Sequence, residues 1–354
     1  MTGNPFEMNF VPMGMDSLTL EREQQERKKA FSRIGLALLT LMLVTVVMQY
    51  AIYGFAFFIS SEVTTYWWFD WVLSLVPLYG FGLPIFMLVL RTLEKGEHCS
   101  TYMFRGMTPA KPQFKFYHFL LLTVVGFGLM YIGSIVGTIL MTVMSALVGY
   151  DYQNALSSIV DNSPTWMVFI GTVLIAPIGE EFLFRKLLID RTRKYGDVAS
   201  ILVSAIAFGL FHGNFFQFFY ALFLGAVLAY MYTWTGKLWW SIGLHMFINL
   251  MGSIVMPGII EKFPLEGDMT TDPRLLLNYL VVLGVELVIF GLIIGAIVAI
   301  VCLFCMRKVY VGKGTHGLQL PQRIRSATVI GNVGMIIALV AYVLLLLTSL
   351  IPLA

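Results

Sequence analysis

Two adjacent glutamates and an arginine stand in the stretch PIGEEFLFRKLLIDRTRK, residues 177–194, at the end of the apolar run WMVFIGTVLIAPIG. Counted from its charged end, this run places Glu180 and Glu181 about ten residues, roughly 15 Å, inside an apolar helix. An unpaired carboxylate at such depth is costly, so both side chains must face a protein interior or a water-filled cavity. Glu181 and Arg185 are four residues apart and share a helix face, which suits a charge pair. Glu180 points about 100° away and has no such partner nearby in sequence. One glutamate therefore reads as structural and the other as free to act. Two further polar groups interrupt apolar runs. SAIAFGLFHGN sets His212 four residues after Phe208, and WWSIGLHMFINL sets His245 and Asn249 four apart on one face.

A glutamate held in a half-apolar cavity is suited to take a proton from water, while a histidine orients that water or shuttles the proton. A histidine N–H and an asparagine carboxamide can donate to the oxygen that gains charge when a carbonyl is attacked. Hydrolysis of a peptide bond by water needs no more than this. HExxH is absent, which excludes a zincin site, and there is neither a GxSxG serine nor a paired-aspartate arrangement. Glu180, His212 and His245 would also make a two-histidine, one-glutamate zinc set. Arg185 would repel that cation and Asn249 is a poor zinc ligand, so the chemistry favours a site without metal or other cofactor. Each feature alone has a plainer reading: a structural ion pair, a helix-end histidine, a His–Asn hydrogen bond between helices. Their joint occurrence in neighbouring apolar segments is what points to a site.

The elements that must position these residues are transmembrane helices. The chain has 354 residues, 58% of them hydrophobic and 12% charged, against about 25% charged in soluble domains. Apolar runs long enough to cross about 30 Å of hydrocarbon recur from end to end. Short alternating segments of the kind a β-barrel needs do not. The expected fold is an all-α, polytopic bundle of about nine spans, near 34–58, 67–90, 116–148, 166–190, 198–213, 215–233, 238–257, 276–305 and 326–351. Residues 1–33 read as a polar cytoplasmic segment rather than a cleavable signal, 34–305 as the transmembrane domain with its core at about 165–256, 306–325 as a basic cytoplasmic loop, and 326–354 as an additional span. Lys and Arg crowd the segments before 34, from 91 to 115, after 190, at 237 and from 306 to 325. They are absent from 59–66 and 146–165. By the positive-inside rule the amino terminus is cytoplasmic and the carboxyl terminus outside. Cys99, Cys302 and Cys305 form no disulfide framework, and no nucleic-acid signature is present.

In residue types, order and spacing, EEFLFR at 180–185, FGLFH at 208–212 and HMFIN at 245–249 resemble the CAAX-protease and bacteriocin-processing (CPBP, or Abi) family of intramembrane endopeptidases, which includes the type II CAAX prenyl endopeptidases. The resemblance covers roughly 165–256. It implies that Glu180 activates the water, that His212 is its partner, that His245 and Asn249 form an oxyanion hole, and that Glu181 and Arg185 hold the site together, with Phe208 in support. It implies a membrane-associated peptide or protein substrate, such as a prenylated CAAX tail or a leader or pheromone peptide, with the bilayer as the other partner. A protein partner for residues 1–33 is left unassigned. The rival readings are a non-proteolytic scaffold or bacteriocin-immunity protein and a proton-coupled transporter. A protease cavity is expected to open toward the cytoplasm or sideways into lipid, close to Glu180. Straight helices would leave His212 about 20 Å and His245 about 10 Å from the cytoplasmic side, so the fifth and sixth segments are where the boundaries need correction.

Overall fold

The computed structural model describes residues 17–94, 112–267, 272–312 and 322–352. Residues 1–16, most of the basic loop 91–115 with His98 and Cys99, and residues 313–321 of the loop 306–325, with His316, lie outside them. Among the described residues the chain is all-helical, without a strand. Helix α1 (Ser17–Ile59) carries the polar stretch 17–33 straight into the first apolar segment. Helix α2 (67–94) consists of Trp67–Leu75, a wider π-type turn at Val76–Gly82, and Leu83–Glu94. Helix α3 (Phe116–Val148) is followed by short α4 (Ala155–Asp161) and by α5 (Thr165–Tyr195). Then come α6 (Asp197–Phe211), α7 (Phe215–Thr235), α8 (Leu238–Lys262), α9 (Arg274–Cys305) and the pair α10 (Gln322–Ile330) and α11 (Val333–Thr348).

Among the described residues, seven helices are long and apolar enough to cross a membrane, or eight if the bent pair α10–α11 is one span. This corrects the expected nine, and the reasons are local. Helix α6 has 15 residues, only about 22 Å at helical rise. Gly213 then takes a left-handed φ of 66°, the conformation glycine adopts without a Cβ penalty. Asn214 caps the next helix by accepting from Gln217 N at 3.0 Å, and the chain turns back short of a full crossing. In the last segment Asn332 accepts from Met335 N at 3.0 Å and donates to the Thr328 carbonyl at 3.0 Å. It ends one helix and starts another, at a bend of 57°. Because α6 and α7 still form a hairpin, the chain reverses at each connection as the loop charges require.

Glycines let the helices approach closely, as is common where lipid supplies no hydrophobic drive. A Cβ at Gly133 of α3 would stand 2.6 Å from the Tyr220 backbone of α7, and one at Gly128 would strike α9 at Ala296 and Leu292. Helix α9 touches the bundle chiefly along α3, and only 6% of its apolar window is buried. The two ends of the bundle are defined by contacts. At one end Arg27 bonds Thr328 and the Tyr195 carbonyl, Asp197 bonds Gly312, and Trp234 bonds the Pro112 carbonyl. At the other, Trp71 bonds Ser163, Tyr152 bonds the Leu350 carbonyl, and Gln217 reaches Asn154. The described basic loop residues gather at the first end.

Candidate active site

The local structure of α5 follows from its sequence. Pro177 lacks an N–H, so a carbonyl one turn earlier must lose its partner. The helix answers by widening over Phe169–Ile175, where the Ala176 N–H reaches back to the Gly171 carbonyl. The Thr172 carbonyl would then look to residue 177, which has no proton to give. Asn249 of α8 supplies it instead, donating through Nδ2 at 2.8 Å. A second wide turn covers Phe182–Ile189. Between the two lies Ala176–Glu181, ordinary α-helix that ends in both glutamates. Wide π-type turns occur often at functional sites.

Glu181 and Arg185 are fully buried, with Arg185 Nε 3.1 Å from Glu181 Oε2. Glu181 Oε1 also takes His245 Nδ1 at 3.1 Å. With Nδ1 directed at Glu181, the other ring nitrogen of His245 faces outward, 3.7 Å from Glu180 Oε2. The two carboxylates thus differ as their neighbours dictate. Glu181 is sealed at 0% exposure, while the Glu180 side chain keeps 12% and lines a cavity of about 1350 Å³. The sequence left Glu180 without a partner; its neighbour arrives from α8, 65 residues away.

Phe208 is the hub of the cluster. Its ring is fully buried, lies under the Arg185 guanidinium at 4.6 Å, and meets His212 and His245 edge-on at 4.9 and 5.7 Å. His212 Nδ1 binds the Phe208 carbonyl at 2.7 Å, which leaves Nε2 for the cavity. Glu180, His212, His245 and Asn249 all line that cavity, whereas Glu181 and Arg185 do not. No hydrogen bond joins His212 to Glu180 among the described residues. The side chains meet at one cavity in spite of the depth mismatch counted from straight helices.

Sequence reasoning missed the partners that shape this pocket. Tyr79, in the wide turn of α2, packs on Gly179 so closely that any Cβ there would strike its ring, and its hydroxyl donates to the Ala176 carbonyl at 3.3 Å. The missing Cβ at Gly179 is what admits the Tyr79 ring. Trp71 occupies the same relation to Gly171. Tyr131, Tyr220 and Thr172 also line the cavity. The PLYGFG run at 77–82 was the one available signal for Tyr79.

Glu180, His212 and His245 are not assembled at metal-ligand spacing; among the described residues no three His, Cys, Asp or Glu side chains are. An outward carboxylate stands beside an oriented imidazole, an arrangement suited to proton transfer. The cavity extends from the site toward the end of the bundle opposite the described basic loop residues. Its outer lining is Trp71, Asn154, Ser157, Asp161, Ser163 and Glu261, at the opposite end of the bundle.

Residues 162–251 match the family model of Rce1-like type II CAAX prenyl endopeptidases. The chain carries a domain of that family. The Rce1-like domain spans α5 to α8 and encloses all three motifs, and the family implies peptide-bond hydrolysis within a multi-pass membrane protein. No curated protein and no solved structure matches the chain.

Proposed function

We propose that the protein is a glutamic-type intramembrane endopeptidase that cleaves a membrane-associated peptide or protein, with Glu180 as general base. The observation that carries this reading is the split between the paired glutamates. Glu181 is locked between Arg185 and His245, while Glu180 meets the cavity with one oxygen beside His245 Nε2.

In the reaction, water attacks the scissile carbonyl carbon as Glu180 takes its proton. His212, anchored by the Phe208 carbonyl, orients that water through its free nitrogen. The developing oxyanion accepts from the Asn249 amide proton not used on Thr172, and from His245 Nε2 when the ring is an imidazolium held by Glu181. The C–N bond then breaks, and the proton on Glu180 passes to the leaving amine. Arg185 and Glu181 keep His245 in this orientation, much as a buried carboxylate orients a catalytic histidine elsewhere. In this reading the amino terminus is cytoplasmic and the carboxyl terminus outside, an orientation that the loop charges support.

The test is cleavage of a fluorogenic prenylated CAAX peptide and a panel of leader peptides by the purified full-length protein. Wild type, Glu180→Gln and His245→Ala are compared with and without chelator. Wild-type cleavage that survives chelation and disappears in both variants is the expected result. Retained cleavage by Glu180→Gln would remove the general base from this reading, and chelator-sensitive cleavage would replace it with metal chemistry.

A further inference from the structure

We propose that α9 is a self-association surface, through which two copies of this chain pair in the membrane with Glu286 of one against Glu286 of the other. The pairing depends on neither the endopeptidase reading nor the orientation of the bundle.

Glu286 is the only Asp, Glu, Lys, Arg or His between Arg274 and Arg307. It is the 13th residue of the 32-residue helix counted from Arg274 and the 20th counted from Cys305. A membrane span takes about 20 residues, and every run of that length within α9 contains Glu286. The residue is exposed, does not line the active-site cavity, and has no hydrogen bond or ion pair among the described residues. Arg274, the nearest basic residue along the helix, stands about 18 Å away at helical rise. A carboxyl in hydrocarbon is costly, and such groups face protein or a water-filled cavity. Its own chain offers Glu286 neither, so the partner must come from outside it.

The surface around Glu286 has the pattern of a helix seam. Helix α9 packs on α3 through Leu292 and Ala296, against Gly128. Glu286 is six residues from Leu292, about 120° around the helix, and so lies clear of that contact. Tyr279, Leu283, Phe290, Ile297 and Phe304 share its face, and all are exposed, Phe290 at 61% and Phe304 at 67%. With Glu286 in place, positions 279, 283, 286, 290, 297 and 304 follow one another by four, three, four, seven and seven residues. That is a period of 3.5, which keeps one stripe against a neighbouring helix along its whole length, and a single polar group in such a stripe fixes register.

Symmetry and the carboxyl identify the occupant. Two copies inserted the same way are related by a two-fold axis along the membrane normal, so their α9 helices run parallel and each seam residue meets its own counterpart at equal depth. Glu286 then faces Glu286 without any search for register. A neutral carboxyl both donates and accepts a hydrogen bond, so two of them satisfy each other. The flanking aromatic and aliphatic side chains pack above and below the pair.

The experiment uses full-length protein with Cys99→Ser, Cys302→Ser and Cys305→Ser as background, labelled once at Lys237→Cys and reconstituted alone into phosphatidylcholine vesicles at a series of dilutions. Two-step photobleaching that grows with protein density is expected. Single steps at every density would overturn the proposal and leave the seam to a different membrane protein. Glu286→Leu should weaken pairing about tenfold, on the scale of hydrogen bonds between membrane helices. Glu286→Gln still donates and accepts and should preserve it. Equal pairing by Glu286→Leu and wild type would mean that the carboxyl reaches headgroup water, and would overturn its role. The face is read by oxidising single-cysteine variants in the same vesicles, without the label. Leu283→Cys and Phe290→Cys should give disulfide-linked dimers. Gly284→Cys, about 200° of rotation from Glu286 with open space beside it, should not. The reverse pattern overturns the seam, and this readout stands even if Glu286→Leu fails to fold.

Discussion

The basic end and the site treat buried charge in opposite ways. At the basic end Asp197 accepts from Arg193 Nε at 3.0 Å and from Gly312 N at 2.7 Å, and its own N–H goes to the Gly312 carbonyl at 2.9 Å. Asp190 takes Lys186 at 2.6 Å and the Tyr232 hydroxyl at 2.8 Å. Arg27 reaches one hydroxyl and two carbonyls. In the site, Arg185 faces Glu181 at 3.1 Å and stacks on Phe208, yet none of its nitrogens meets hydrogen-bond geometry among the described residues. Two glutamates and two histidines crowd the same few turns. At the basic end Glu23 Oε2 and Arg325 Nε are single atoms left without a partner, whereas in the site the whole Arg185 guanidinium is. Under-satisfied buried groups in a native fold mark stored strain or function.

Four substitutions break or sharpen that contrast. Glu180→Gln should lower kcat by about 10²–10⁴-fold, the usual worth of a general base, while the melting temperature in detergent holds steady. A large loss of stability instead would make Glu180 structural. Arg185→Ala leaves Glu181 buried without its cation and should destabilise the fold by about 3–5 kcal/mol, read as a lowered Tm. Unchanged thermal stability would mean that Glu181 is satisfied without it. Asn249→Ala removes both a donor for the oxyanion and the tie to the Thr172 carbonyl, so kcat should fall by about 10²-fold with a small drop in Tm. If KM alone rises, Asn249 serves binding. Asp197→Asn keeps only one of the two acceptor oxygens and loses the charge, and should cost about 1.5–3 kcal/mol with kcat untouched. A fall in kcat there would show that the two ends are coupled.

Much of this architecture is legible in the sequence, because hydropathy and loop charge are local quantities. The Glu181–Arg185 pair follows from helix periodicity, and the outward Glu180 from its angle to that pair. The partners of Glu180 and Asn249 are not legible, since they depend on how α5, α6 and α8 come together. The wide turns were invisible for a different reason. Their cause is a hydrogen-bond register, which composition does not record, and only Pro177 hints at it. The ninth segment failed as a straight span because one residue, Asn332, competes for the backbone on both sides of itself. The short α6 failed for a similar reason at Gly213 and Asn214, where the turn overrides an apolar run that continues into Phe215.

The two wide turns of α5 have a consequence for phase. A wide turn holds an extra residue relative to an α-helix, and each residue rotates the chain by about 100°. The segment with the glutamates is therefore out of step with the helix both before and after it. Deleting a single residue between Phe182 and Ile189 would leave the composition and the apolar profile almost intact. It would also remove the turn's extra residue, so that the segment could close as ordinary α-helix, with Glu180 and Asp190 kept in phase and the side chains between them re-registered. The same motif letters would then spell a different surface, so in this helix the count of residues matters as much as their identity.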